Sequence, residues 1–432
     1  MRIEDRLAAV GLPALPRPAW LEIDTQALAG NLRAVADLAG PDARVAAVVK
    51  ADGYGHGLEV TARTFAAAGA DLLAVATLDE ALALRRAGID SRLLVLFAVP
   101  PEQAPRAMAA GIELVAADEP GLERTLSASA PRGEAAGRPG GAGGAGGAAG
   151  AGGGLVLHLE IETGLARGGI RPERAAAAAG RIRAAGARLA GTWSHLARAE
   201  DAEASAEQVG RLEQALDAIR AVGIDPGERH LAASGGLFAA SAPAWERVRP
   251  GLALYGELAD GLPVAPAALA AQARLRPAMT LKARALRIER LASGEPVGYG
   301  GLWRAPRPSL VATLPIGYGD GWPRASSPGA VALVRGRRVP LVGSVAMDAV
   351  IADVTDVPGV HADDEFVLLG AQGDDRITAT ELARLRTTIS WEVLATMAYR
   401  VPRVYHGRPG PTGLRTLEGE TLAPRDAPGH HD

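Results

Sequence analysis

The feature that most limits this chain's fold is an eightfold alternation. Short apolar, β-branched runs recur at 44–51, 71–77, 92–99, 112–117, 155–162, 189–195, 229–234 and 247–256. Between them lie Ala/Leu/Arg stretches of helical character, such as 58–69, 78–88 and 206–223. Apolar strands alternating with helices predict a parallel sheet covered on its outer faces. Eight such units fit a closed (β/α)8 barrel better than an open doubly wound sheet. Around Asp260 the pattern changes. Runs at 280–291, 309–317, 330–343, 349–356 and 364–370 read as strands joined by turns, followed by one helical stretch over 378–400. Thr378 caps that stretch if it pairs with Glu381 in capping-box spacing. The expected organisation is therefore α/β: a TIM barrel over 1–259 followed by a mainly β domain over 260–432, with a loose Pro/Gly-rich tail from Gly407. The segment 133–154, GEAAGRPGGAGGAGGAAGAGGG, is expected to be a flexible insertion between the fourth helix and the fifth strand. It lacks the residues that close a phosphate-binding glycine loop.

Composition narrows the function classes. There is no cysteine in the 432 residues, which excludes disulfides, thiolate metal sites and cysteine nucleophiles, and is compatible with the cytoplasm. A net charge of −3 gives no reason to expect a nucleic-acid partner. No run has the length of a signal-peptide core or a membrane span.

In a (β/α)8 barrel the functional groups stand at the C-terminal ends of the strands. Strand one ends in Lys50, and strand five in Glu160, Glu162 and Thr163, with Arg167 beyond. Strand six ends in Ser194 and His195, strand seven carries His230 and ends in Ser234-Gly235-Gly236, and strand eight carries Arg249. Each alone has an ordinary structural role. Together they converge on one mouth, which packing does not explain. No ligand spacing for a metal is present, and the GxSxG of a serine hydrolase is absent. A lysine beside a serine-glycine phosphate seat points to a Schiff base with pyridoxal phosphate.

The run AVVKADGYGHG (47–57) resembles the cofactor signature of the alanine racemase family. Further stretches at 162–169, 248–256, 298–303, 316–324, 342–348 and 399–403 resemble the family in the same order. This resemblance implies a homodimer with shared sites, acting on alanine in the cytoplasm to supply D-alanine for peptidoglycan. Lys50 would be the Schiff-base lysine and one catalytic base; Tyr299, from the other subunit, would be the second. Arg249 would donate to the pyridine nitrogen, buttressed by His230, and His195 would line the cofactor. Tyr54, Ser234 and the amides of Gly251 and Leu252 would take the phosphate. Arg167 and the amide of Met347 would take the substrate carboxylate, while Tyr318, Arg324 and Asp348 would line a narrow entrance. Tyr299 and Tyr318 also read as hairpin turn residues, and Asp348 as a turn cap.

Four positions depart from the family pattern. Glu160 stands where many members carry a lysine that becomes carbamylated, and is expected to orient Arg167 in its place. Ala233 replaces a frequent Asn, and Glu162 the usual Asp. Trp391 replaces a tyrosine that reaches the phosphate, which opens the alternative of a broader-specificity or serine racemase. A barrel-only cofactor carrier is disfavoured by the second domain. A related decarboxylase is disfavoured by the absence of cysteine and by Arg249.

Overall fold

The computed structural model describes residues 2–130, 154–408 and 410–424. The first strand, β1 (Ala19–Asp24), precedes the barrel. The barrel strands follow as β2 (Arg44–Val48), β3 (Leu72–Val75), β4 (Arg92–Val95), β5 (Ile112–Ala116), β6 (Val156–Glu160), β7 (Arg188–Trp193), β8 (Glu228–Ala233) and β9 (Arg247–Arg249). They pair in parallel, and β9 closes onto β2. All eight apolar runs form these strands, and the expected glycine-rich insertion lies outside the described residues. Strands such as β3 and β5 are buried along their whole length, as expected when a parallel sheet is covered on both faces.

The second domain is a twelve-stranded sheet, and it recruits the N-terminus. β1 pairs antiparallel with β10 (Met279–Arg284) and parallel with β20 (Arg403–His406). The helix Ile3–Ala9 buries Ile3 and Leu7 against Trp20, Val404 and Leu414. Residues before the barrel thus pack with the β domain, a long-range pairing invisible to local pattern.

Four local expectations change. The run 280–291 is two strands, and 330–343 is a hairpin, β15 (Val331–Val334) and β16 (Arg337–Val342). Its turn places Arg335 at φ 51 and Gly336 at φ 71, the two positive angles of a tight hairpin. The helical stretch 378–400 is two helices, Ala379–Leu385 and Ser390–Ala395. Thr378 does cap the first, accepting from the Glu381 amide at 3.0 Å, and Thr387 at φ 54 breaks the helix. The tail beyond Gly407 is ordered over β21 (Pro411–Thr416) and β22 (Gly419–Leu422), a hairpin paired to β20.

Candidate active site

The C-terminal mouth of the barrel encloses a cavity of about 410 Å³. Lys50, Tyr54, Arg167, His195, Ser234, Arg249, Gly251, Leu252 and Trp391 all line it. The convergence expected from strand ends is therefore present. Trp391 and Ala395 reach it from the helix Ser390–Ala395 of the second domain of the same chain.

Lys50 begins a turn of unusual hand. Ala51, Asp52, Gly53, Tyr54 and Gly55 all have φ between 52 and 78. A non-glycine residue there costs about 1–2 kcal/mol, so external bonds must hold the turn. Ala51 N–H donates to Glu80 at 2.6 Å, and Leu58 N–H to Asp52 at 2.9 Å. Gly55 has a second constraint: a Cβ would collide with the carbonyl of Leu394. Burial, then the nearby Arg167, pushes the Lys50 ammonium below its usual range. Phe97 stands at the rim, with Lys50 Nζ 5.8 Å and the Arg167 guanidinium 5.2 Å from its ring centroid.

Arg249 is buried, stacked 4.5 Å over the Trp193 ring. Its Nη1 donates to His230 Nδ1 at 2.8 Å and its Nη2 to the Ser194 carbonyl at 2.6 Å. Its Nε makes no hydrogen bond among the described residues. A guanidinium only donates, so His230 Nδ1 must accept and Nε2 must carry the proton. That N–H faces His158 Nδ1 at 3.0 Å, and His158 Nε2–H then donates to Glu113 at 2.7 Å. Arg92 grips Glu113 with bonds of 2.7 and 3.0 Å. Glu228 and Arg247 continue the network to Asp71. Burial holds both histidines below their usual range, which keeps them neutral. Against the desolvation of burial, the bonds from His158 and Arg92 hold Glu113 at about 2. Sequence reading placed only Arg249 and His230 in this relay. His158 and Glu113 are buried polar residues inside strands that are otherwise apolar, and that was the signal; Arg92, at the start of β4, gave none.

The phosphate seat differs in detail. Ser234 Oγ accepts from the amides of Gly251 (3.1 Å) and Ala253 (3.2 Å), so the Gly251 N–H is already taken within the chain. Tyr54 stacks on Tyr255 at 4.7 Å, and its hydroxyl makes no hydrogen bond among the described residues. His195 is pushed down to about 3 by burial and by Arg249, Arg167 and Lys50. Glu160 does not bond Arg167 as expected. Burial raises its pKa, and Arg167 and Arg249 oppose that only through space. The carboxylate of Glu162 is occupied by the amides of Gly164 and Ala166.

A second group of expected residues is not in the cavity. Tyr299 lies in the turn between β12 (Pro296–Val297) and β13 (Trp303–Arg304), flanked by glycines at φ 70 and 73, and is 74% exposed. Met347 and Tyr318 are 52% and 42% exposed, and Arg324 is exposed too. Asp348 is exposed and tied to Arg400 at 2.7 Å, an ion pair rather than the turn cap foreseen for it.

The comparisons agree over both domains. Residues 23–259 match the family model described as alanine racemase, N-terminal domain, and 278–405 match alanine racemase, C-terminal domain. The alanine racemase of Symbiobacterium thermophilum is 38% identical, covering 90% of this chain and 98% of that protein. That of Thermobifida fusca is 37% identical over 89% and 97%. Among solved structures, the Bacillus anthracis alanine racemase with bound L-Ala-P superposes with a TM-score of 0.82 at 28% identity, covering 94% of this chain and 99% of that one. The Streptomyces coelicolor alanine racemase gives 0.78 at 32% identity, covering 90% and 98%. Both domains, in order and nearly end to end, assign this chain to the alanine racemase family of isomerases.

Proposed function

We propose that this chain interconverts L- and D-alanine with pyridoxal 5'-phosphate, one base removing the Cα proton on one face and a second base delivering a proton on the other. The observation that carries the reading is the make-up of the cavity wall. A lysine held below its usual range, an unspent guanidinium N–H and an unspent phenol stand together there with Ser234. That donor set fits the cofactor: an amine for its aldehyde, a donor for its ring nitrogen, and hydroxyls for its phosphate. When bound, the cofactor supplies a ring that accepts the electron pair left by the departing proton.

Lys50, once free, holds or takes the proton on one face of Cα, and its lowered pKa shifts it toward the neutral amine a base needs. Arg249 donates to the ring nitrogen and cannot protonate it, since a guanidinium does not give up its proton. The relay from Glu113 through His158 and His230 keeps an acceptor aimed at Arg249, so its planar group stays fixed. Tyr54, Ser234 and Leu252 seat the phosphate. Arg167 orients the substrate carboxylate.

The opposite base is Tyr299 of a second copy, with the Met347 amide of that copy on the carboxylate and its Tyr318 and Arg324 at the entrance. The support is that all four are exposed and absent from this chain's own cavity. The reading thus includes a homodimer, and a cytoplasmic reaction that supplies D-alanine for peptidoglycan. Purified chain loaded with pyridoxal phosphate is expected to show a visible absorbance band that Lys50→Ala abolishes. It is also expected to convert L-alanine to a racemic mixture by chiral chromatography. A loaded protein that leaves L-alanine unchanged overturns the reading. A second reading, broader or serine-directed specificity, is favoured by Trp391 on the cavity wall.

A further inference from the structure

The turn that aims Lys50 and Tyr54 is gripped from a part of the chain beyond the family match, which ends at residue 405. In the antiparallel pairing of β20 with β21, Arg403 stands directly opposite Arg415. Directly opposed residues leave the same face of a sheet. Two arginines in that relation repel unless an acceptor stands between them. Here Arg415 is met by the lysine turn, and Arg403 divides its donors between that turn and the carbonyls of Met397, Ala398 and Val401. Arg415 forms a two-bond fork with Asp52, each bond 2.6 Å. Arg403 sends Nε and Nη2 to the Gly55 carbonyl, each at 3.2 Å. Both side chains are buried, and the Arg415 guanidinium stacks 4.4 Å over Tyr399. The hairpin is seated through Leu414, which packs with Trp20, Val404 and the N-terminal helix.

The geometry points to a clamp: the C-terminal hairpin, through Arg415 on Asp52 and its neighbour Arg403 on Gly55, holds the left-handed turn in the conformation that directs Lys50 and Tyr54 into the cavity. Arg415 is a positioning residue, since it touches neither cavity nor substrate. Three non-glycine residues at positive φ relax to ordinary angles once the grip is lost. Relaxation swings the backbone between Lys50 and Tyr54, so the amine and the phosphate ligand lose their mutual register. The substrate-holding Arg167 lies on another loop and is not disturbed. The catalytic part of this proposal rests on Lys50 carrying the cofactor. The conformational part does not.

The test uses the full chain with Arg415→Met and Arg415→Lys. Amide hydrogen exchange on cofactor-free protein reads the turn directly. Arg415→Met is expected to speed exchange of the amides of residues 51–57 by about tenfold or more, with barrel strands such as β3 and β5 unchanged. In loaded protein, kcat is expected to fall by up to about 100-fold, with KM for alanine within about threefold. Pyridoxal phosphate, titrated by its visible band, is expected to bind more weakly. Arg415→Lys keeps the charge but not the fork, so it falls between the two in every readout. Should Arg415→Met fail to fold, Arg415→Lys against the parent chain carries the same comparison. Unchanged exchange at 51–57, or exchange raised equally throughout the molecule, overturns the clamp. Faster local exchange in a protein that never binds pyridoxal phosphate upholds the clamp and instead overturns the cofactor reading.

Discussion

The barrel mouth and the face bearing Tyr299 are built on opposite plans. In the mouth, the chain itself fixes key groups: Arg249 to the His230 ring and to the carbonyls of His230 and Ser194, Ser234 to two amides, and, two residues from Lys50, Asp52 to Arg415. On the other face, Tyr299, Met347 and Tyr318 stand in solvent with large apolar surface showing. Exposed aromatic and Met side chains in a cluster are what interfaces bury. If the proposed second copy supplies Tyr299, the difference means that one half of the site is pre-organised by the chain itself and the other half is finished by association.

The sharpest way to break that contrast is complementation. Lys50→Ala and Tyr299→Phe are each expected to abolish most racemisation, the second by about 10²–10⁴-fold, the usual weight of a general base. If the two residues act from different copies, mixed and reassociated inactive proteins regain about a quarter of the parent activity, because half of the dimers are mixed and one of their two sites is intact. Recovery of none, from variants that still associate, would show both residues serving one chain.

The next effect concerns the pre-organised half alone. Glu113 is held at about 2, below the usual carboxylate value, by His158 and Arg92 against the desolvation of burial. A depressed carboxylate contributes stability that is full above its unfolded pKa and is lost as pH falls through the folded one. Acid unfolding is thus expected to draw on this group between about 4.5 and 2. Glu113→Ala leaves the buried His158 N–H without its acceptor and Arg92 with Glu228 alone, and is expected to cost about 3–5 kcal/mol at neutral pH. Its urea midpoint should fall and its acid limb should flatten. An equal loss for a variant at the exposed face, such as Met347→Ala, would erase the distinction between the halves.

How much of this could be read from residues follows the same division. The barrel was legible because eight apolar runs alternate with helical stretches, and its mouth because strand ends select Lys50, His195, Ser234 and Arg249. Long-range partners were not. β1 joins the second sheet, and Arg415 reaches Asp52 across 363 positions, relations that no local periodicity encodes. The C-terminal hairpin was hidden by its composition, since Pro and Gly read as loop, while Arg403, Val404, Arg415 and Leu414 do the packing. The expectation that Glu160 orients Arg167 came from the family's carbamylated-lysine position; here the two interact only through space, and Arg167 lies over Phe97.

The smallest expected effect sits where the halves of a single chain meet, at Trp391. It is the one departure from the family pattern on the cavity wall contributed by the second domain. An indole N–H donates and cannot accept, and the ring is wider than a phenol. Trp391→Tyr is therefore expected to alter pyridoxal phosphate affinity by only a few-fold, because one hydrogen bond is worth about 1 kcal/mol net. Its effect on specificity is bounded in the same way. Adding one hydroxyl to the substrate changes discrimination in an apolar pocket by about 100-fold at most. The ratio of kcat/KM for alanine to that for serine, measured in both proteins, separates the readings. A ratio that rises in Trp391→Tyr marks the tryptophan as the element that admits larger substrates. An unchanged ratio shifts side-chain selection away from Trp391, to the residues that the proposed second copy would bring along with the second base.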